Sequence, residues 1–484
     1  MRSIALAYAV SLLVLAPAQG ADKADKGKIP ITTASEDARK AYLEARDLNE
    51  KLRAGDARLK FQEAVAKDAK FALAHLGAAN TSITAQEFWD ELKKAGELAA
   101  GASEGEQLLI QFAEANAKGE TDKATKLAST IAGKFPQDER AQVLLGGLYF
   151  GRQQWDKAVP AYKKAVAINP EFSAPYNQLG YALRFLEKYD EAEKVFQKYV
   201  ELIPNDPNPY DSYGELLMKL GRFDESIRQY EKALAVNKNF IASYVGIGHN
   251  QMFMGRGDDA RRTFGELTKV ARNDGERRTA IFWTAQSYVM EGATDKALAE
   301  MQKMADIDEK NKDLPNLVGV NFNMGEILLE AGRPDEALAR YRKQHEVAQK
   351  ADVPPSVKEQ ADRNLLYNEA KVALAKGDVA KAKANAAERE KLVMVKKVTF
   401  EVQQVHELKG RIALEEKKYA AAATELGKAN LQDARVLYLL GVAQQAAGNE
   451  KAAKASLTKA ANYNGLGGNY GFVRKKAKDL LARS

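Results

Sequence analysis

The chain has 484 residues, 45% of them hydrophobic and 29% charged, with a formal net charge of +7 and no cysteine. That length suits about three ordinary domains, or one extended repeat array whose size is not limited by a single core. Lack of cysteine excludes disulfide scaffolds, thiolate metal sites, Fe–S clusters and cysteine nucleophiles together. The four histidines (His75, His249, His345 and His406) leave little material for an all-histidine metal centre. Low proline and a tone rich in Ala, Leu, Lys and Glu point to helix.

Residues 1–20 read MRSIALAYAVSLLVLAPAQG. Arg2 gives a short positive start, Ile4 to Leu15 is an apolar run of 12 residues, and Ala18-Gln19-Gly20 offers small side chains at a cleavage site. As helix that run spans about 18 Å, short of a hydrocarbon layer of about 30 Å. The pattern predicts a signal peptide over 1–20, cleaved near Gly20, and so an exported chain, periplasmic or secreted. A linker over 21–35 follows. No later stretch is apolar for long enough to span a bilayer, so no transmembrane segment is expected in the mature chain.

Beyond the linker the sequence repeats. Ala124, Ala158, Ala192, Ser226 and Ala260 are spaced 34 residues apart. Each is followed at four residues by Ala128, Tyr162, Phe196, Tyr230 or Phe264, and at seven by Ile131, Ala165, Tyr199, Ala233 or Leu267. Pro136, Pro170 and Pro204 share a further column, as do Gly146, Gly180, Gly214 and Gly248 upstream. Small residues let two helices approach closely, the aromatic fills the space between units, and the proline ends the second helix. Each unit is therefore read as a helix–turn–helix hairpin, unable to bury its apolar face alone.

Gln178-Leu179-Gly180-Tyr181-Ala182, Tyr189-Asp190-Glu191-Ala192 and Ile203-Pro204 resemble the signature of the tetratricopeptide-repeat family. The resemblance is strongest over 137–272, taken as a regular array. It implies an all-α superhelical solenoid of about twelve hairpins. Divergent hairpins are expected over 36–136, where Ala57, Phe61 and Ala64 mark a first unit and His75-Leu76-Gly77 opens a second. Longer, divergent ones are expected over 273–463, with anchors at Ala297, Ala337, Ala380, Ala422 and Ala453. Lys391 to Thr399 is the least repeat-like stretch and reads as strand or linker. Asn464-Gly465-Leu466-Gly467-Gly468 breaks the array, and 464–484 is read as a C-terminal capping helix with a solvated outer face. Ser103 and Glu106 form a capping box.

Motifs for chemistry are missing. There is no phosphate-binding loop, Gly246-Ile247-Gly248 lies inside a predicted helix, and neither His345-Glu346 nor His406-Glu407 has a second histidine four residues on. No catalytic residue, cofactor or metal site is predicted, and the chain is read as a non-enzyme. Charge is uneven: residues 371–484 hold 22 Lys and Arg against 11 Asp and Glu, so the rest of the chain is net acidic. The basic clusters are Lys396-Lys397, Lys417-Lys418 and Arg474-Lys475-Lys476 with Lys478, a candidate surface for an acidic partner or an anionic envelope. Nucleic acid is not expected as a partner: export separates the two, and no aromatics interleave with the basic residues.

Resemblance to the family also implies that the first helix of each hairpin lines a concave groove. Projected there, the central units offer Asn177, Tyr181, Arg184, Phe185, Met218, His249, Met252 and Phe253 as partner-binding candidates, with Asp211, Glu215, Phe282, Gln286 and Met290 alongside. Met and aromatic side chains are adaptable contact material. Of the Lys, Asn and Arg pattern by which the family clamps a terminal carboxylate, only Asn177 and Arg184 have counterparts here. The expected function is an exported scaffold that binds a protein or peptide in the groove; the alternative is a polyanion- or envelope-binding protein acting through its basic C-terminal third.

Overall fold

A computed structural model describes residues 27–396, 398–466 and 468–483. The predicted signal peptide over 1–20 and Lys397 lie outside the described residues. Among those described there are 25 α-helices and no strand, so the fold is an all-α repeat solenoid. The chain divides into two compact units, one ending at Pro204 and the other beginning at Asn205.

The first unit pairs α1 (Glu36–Glu50) with α2 (Ala54–Lys67), α3 (Ala72–Asn80) with α4 (Ala85–Leu98) and α5 (Glu104–Ala117) with α6 (Thr121–Lys134). It continues with α7 (Glu139–Gly151) and α8 (Trp155–Ile168), then α9 (Ala174–Phe185) and α10 (Tyr189–Leu202). Its repeat columns form the seam. Ala124, Ala128, Ile131, Ala158, Tyr162, Ala165, Ala192 and Phe196 are wholly buried. A column glycine is what admits the ring: a Cβ on Gly180 would stand 2.6 Å from Phe196. Hairpin turns also demand a left-handed residue, supplied by Gln153 and Glu187 here. The capping box forms as expected, and buried Glu106 also accepts from the Thr32 amide (2.8 Å) and hydroxyl (2.6 Å). With Ile29 N–H donating to Asp138 (2.9 Å), residues 29–32 are pinned to α5 and to the start of α7.

The second unit opens with α11 (Pro207–Lys219) and α12 (Phe223–Val236), then α13 (Ile241–Phe253) and α14 (Gly257–Val270). Next come α15 (Asp274–Glu291) and α16 (Thr294–Asn311), α17 (Leu314–Glu330) and α18 (Pro334–Lys350), and α19 (Pro355–Ala375) and α20 (Val379–Lys396). It ends with α21 (Thr399–Glu415) and α22 (Tyr419–Leu426), α23 (Ala434–Ala446) and α24 (Glu450–Ala461), and α25 (Tyr470–Arg483). Helices α15 to α21 run 17 to 21 residues, against 12 to 14 for α5 to α14, which accounts for the longer repeat steps.

Two local expectations need correction. Ala380 is exposed; the buried anchor of its hairpin is Ala382, two residues on, because α20 begins at Val379 and its inner face turns accordingly. The stretch from Lys391 is helix as far as Lys396 rather than strand or linker, and α21 starts at Thr399. Val393, fully buried, holds that helical end in place. Among the described residues no helix is long and apolar enough to cross a membrane.

Candidate functional site

The inner-face candidates form columns of their own. Asn177 is followed at 34-residue steps by Asp211 and Val245, Tyr181 by Glu215 and His249, Arg184 by Met218 and Met252, and Phe185 by Lys219 and Phe253. One face of successive first helices is thus sampled four times per helix. The first set lies on α9, in the first unit. The other two lie on α11 and α13, in the second.

On α9, Asn177 is buried while Tyr181, Arg184 and Phe185 are half-buried. The Arg184 guanidinium lies over the Tyr181 ring (4.8 Å) and the Phe185 ring (5.1 Å), a cation–π arrangement that holds a flexible side chain in place. Phe185 stacks on Trp155 of α8 at 4.7 Å and 14°, and Phe150 of α7 stands 5.9 Å away. The result is a half-exposed aromatic platform with one cation fixed upon it. Trp155 opens α8 just after the hairpin turn and Phe150 lies in the last turn of α7, so neither falls among the inner-face positions read from the sequence.

In the second unit the corresponding face is covered. Met218 and His249 are fully buried, and Met252 and Phe253 nearly so, in one apolar cluster with Tyr470 and Val473 of α25. The Tyr470 ring is 4.8 Å from Phe253 and 6.0 Å from His249, whose imidazole stands 4.1 Å from the Trp283 indole. Arg474, read as part of a basic surface, is instead buried, with its guanidinium 4.5 Å from the Phe253 centroid. It donates to the Tyr463 carbonyl (3.2 Å) and to Asn464 Oδ1 (2.9 Å). Burial drops the His249 pKa to about 4, although its bond to the Val245 carbonyl (2.8 Å) and the charge on Glu215 both act to raise it. Burial likewise raises the Asp211 carboxyl, against a hydrogen bond donated by Ser243 Oγ (2.8 Å).

Further along, the same face turns from apolar to ionic. Glu326 of α17 accepts from Tyr341 Oη (2.6 Å), from Lys371 of α19 and from Arg435 of α23, all buried or nearly so. Burial alone would raise its pKa, but Lys371 and Arg435 hold it well below the usual carboxylate range. The Lys371 ammonium also sits within 5.7 Å of three rings, those of Phe322, Tyr341 and Tyr367. Glu407 accepts from Tyr367 Oη and Arg411, both at 2.9 Å, and Arg363 makes a two-pronged bond to Glu401 at 2.9 and 3.0 Å. These residues were missed, yet the sequence carries the signal. Tyr181, Glu215 and His249 each follow a column glycine, and Glu326 and Arg411 follow Gly325 and Gly410 in the same way.

Half of the remaining described basic candidates are engaged. Lys396 pairs with Glu359, Lys418 with Glu416 (3.1 Å) and Lys476 with Glu330 (3.1 Å). Lys417, Lys475 and Lys478 are exposed. Among the described residues no group of His, Asp or Glu is arranged to hold a metal ion.

Repeat spacing and hairpin geometry together define an array of tetratricopeptide repeats, and comparison with known proteins agrees. Models described as tetratricopeptide repeat match residues 114–173, 149–213, 208–240, 245–312, 322–343 and 434–465. The chain therefore carries tetratricopeptide repeats in both units. Similar solved structures include a tetratricopeptide repeat protein from Parabacteroides merdae, 15% identical, covering 57% of this chain and 98% of that one with a TM-score of 0.38. MamA is 22% identical over 34% of this chain and 91% of its own, with a TM-score of 0.32. YrrB, described as a TPR protein with an unusual peptide-binding site, is 20% identical over 38% and 92%, with a TM-score of 0.28. No curated protein matches the chain.

Proposed function

We propose that this protein is a scaffold that binds a polypeptide partner on the inner face of its repeats, with no chemistry of its own. The observation that carries the reading is the α9 platform, where Arg184 is stacked between Tyr181 and Phe185 on a half-exposed face. Repeat stacking offers extended surface rather than a closed pocket, which suits a peptide better than a small substrate. A guanidinium already held over aromatic rings loses little freedom on meeting a carboxylate or a row of carbonyls. It therefore suits a segment that combines an acidic residue with apolar neighbours.

Peptides selected from a display library against the full chain test this. The tightest binder should lose about 30-fold in affinity for Arg184→Ala, some 2 kcal/mol, while the melting temperature stays unchanged. Equal affinity for both proteins would remove α9 from the binding surface. We further propose that the protein acts after export, in a periplasm or outside the cell, on the strength of residues 1–20. N-terminal sequencing of exported material should begin at Ala21, and recovery of Met1 would contradict it.

A further inference from the structure

The charged outer surface of α25 was expected to make it a cap on the end of the array. Its inner surface suggests a role beyond that. Tyr470, Val473, Arg474 and Ala477, spaced i, i+3, i+4 and i+7, are all buried, while Lys475, Lys476 and Lys478 face out. Beyond its neighbours α23 and α24, this amphipathic helix packs on α15, and its connection reaches α11. It occupies the face that the repeat columns build.

Three features of this seat bear on how firmly it holds α25. First, it is incompletely satisfied. His249 Nε2, Gln286 Oε1, Tyr470 Oη and Arg474 Nε are buried without a protein hydrogen-bond partner, and no carboxylate among the described residues pairs with Arg474. A buried polar group left unpaired costs about 1–3 kcal/mol, so this contact is weaker than its apolar area implies. Second, α25 is 14 residues long and is joined to α24 by a stretch with glycines at 465, 467 and 468. A helix of about that length is marginal on its own in water, and glycine lets it swing without strain. Third, the seat is lined by Met218, Met252 and Met290, unbranched side chains that repack around different occupants.

We propose that α25 is a displaceable internal ligand. In its place the second unit takes an amphipathic helix of a partner protein bearing an aromatic residue, a branched aliphatic three positions on and a basic residue four positions on. The inference rests on the inner face being a polypeptide-binding surface, but it concerns a second, latent site in the other unit. While α25 is docked, a partner competes with a tethered occupant at an effective concentration in the millimolar range. The apparent affinity is then reduced by the fraction of molecules in which the face is open.

Two measurements on the full chain decide it. Native-state hydrogen exchange should show the amides of α25 opening at least tenfold more often than those of α13. Protection equal to α13 would make α25 a fixed part of the core and overturn the proposal. A labelled synthetic peptide of residues 462–483 should bind the Tyr470→Asp/Arg474→Glu chain at least tenfold more tightly than the unaltered one. Adding Met290→Asp should abolish that gain, and Arg184→Ala should leave it intact. A folded double variant that does not bind the peptide also overturns the proposal. If the double variant does not fold, exchange in the unaltered chain decides: excess peptide should speed exchange in α25, and no change counts against displacement. Loss of affinity with Arg184→Ala but not with Met290→Asp would leave the α9 reading standing and this one fallen. The converse pattern would keep α25 displaceable and locate the binding in the second unit alone.

Discussion

Arg184, Met218 and Met252 hold equivalent places in three successive repeats, yet they meet different surroundings. On α9 the face presents a stacked, half-buried arginine; on α11 and α13 it is sealed by Tyr470, Val473 and Arg474. Beyond α15 it changes again, and from α17 to α23 it carries a buried ionic network centred on Glu326. The repeat therefore fixes where side chains point, and says little about what they meet. Hairpin seams are alike because each buries small residues against the side chain opposite, a ring throughout the regular array and Leu426 or Leu457 near the end of the chain. The inner face is free of that constraint and can be used for a partner, for the chain's own C-terminus, or for cross-links between helices.

The ionic stretch should be the most fragile. Glu326→Gln leaves two buried cations, Lys371 and Arg435, without their shared carboxylate. Removing one partner of a buried pair costs about 3–5 kcal/mol, and chemical denaturation should show a loss of that size. A second change, Lys371→Met, made in the Glu326→Gln protein should restore part of the loss, because it removes one uncompensated charge. If the double variant is the less stable of the two, the pairing is not what holds these helices together.

The covered stretch should respond to acid. His249 is buried and neutral, with its pKa lowered to about 4, and it titrates near 6.5 once exposed. Between those values the unfolded or opened chain takes up a proton that the closed chain does not. The His249 contribution is thus fully present above about pH 6.5 and falls as pH drops toward 4, by about 3 kcal/mol for the whole span. Asp211, whose carboxyl is raised by burial, contributes with the opposite sign, so the comparison is made with His249→Gln in parallel. Relative to the variant, the unaltered chain should lose stability between pH 6.5 and 4; identical slopes would mean that His249 is not desolvated in solution.

The regular seam gives a smaller and sharper effect. Ala192 is fully buried and Lys194 exposed, two residues apart on α10. Ala192→Trp should overpack the closest helix approach and cost about 1–3 kcal/mol. Lys194→Trp should change the melting temperature little. Equal melting temperatures would break the assignment of faces on which the whole repeat register depends.

That register was legible because it is periodic. Columns at 34 residues mark the buried seam, and even Ala57, Phe61 and Ala64 in the divergent first hairpin are buried as the pattern requires. Where hairpins lengthen the period is lost, and the anchor slipped from Ala382 to Ala380. The network around Glu326 lies where the longer helices have broken the 34-residue step, although its position after Gly325 follows the same rule as Tyr181 after Gly180. Docking of α25 was not legible at all. It joins Asn464 to the Lys219 carbonyl across 245 residues, and no spacing rule reaches so far. Amphipathic spacing showed that α25 has a face to bury, without saying against what.

The basic third of the chain gives the smallest expected effect, and the most direct contrast with the inner face. Arg474 is buried on Phe253, and Lys396, Lys418 and Lys476 each pair with a glutamate of this chain. Lys475 and Lys478, on the outer side of α25, are exposed. Surface charges without buried partners contribute within about 0.5 kcal/mol to stability. Their field is screened over about 8 Å at physiological salt. Lys475→Gln with Lys478→Gln should therefore leave both the melting temperature and the affinity for a display-selected peptide unchanged. That affinity should fall only a few-fold between about 50 and 500 mM salt, because one ion pair at Arg184 is screened while the stacked and apolar contacts persist. A steep loss with salt, matched by a loss in the double variant, would move the contact from the inner face to the outer side of α25. The partner would then be an acidic surface, and the α9 platform would be only part of how its helices pack.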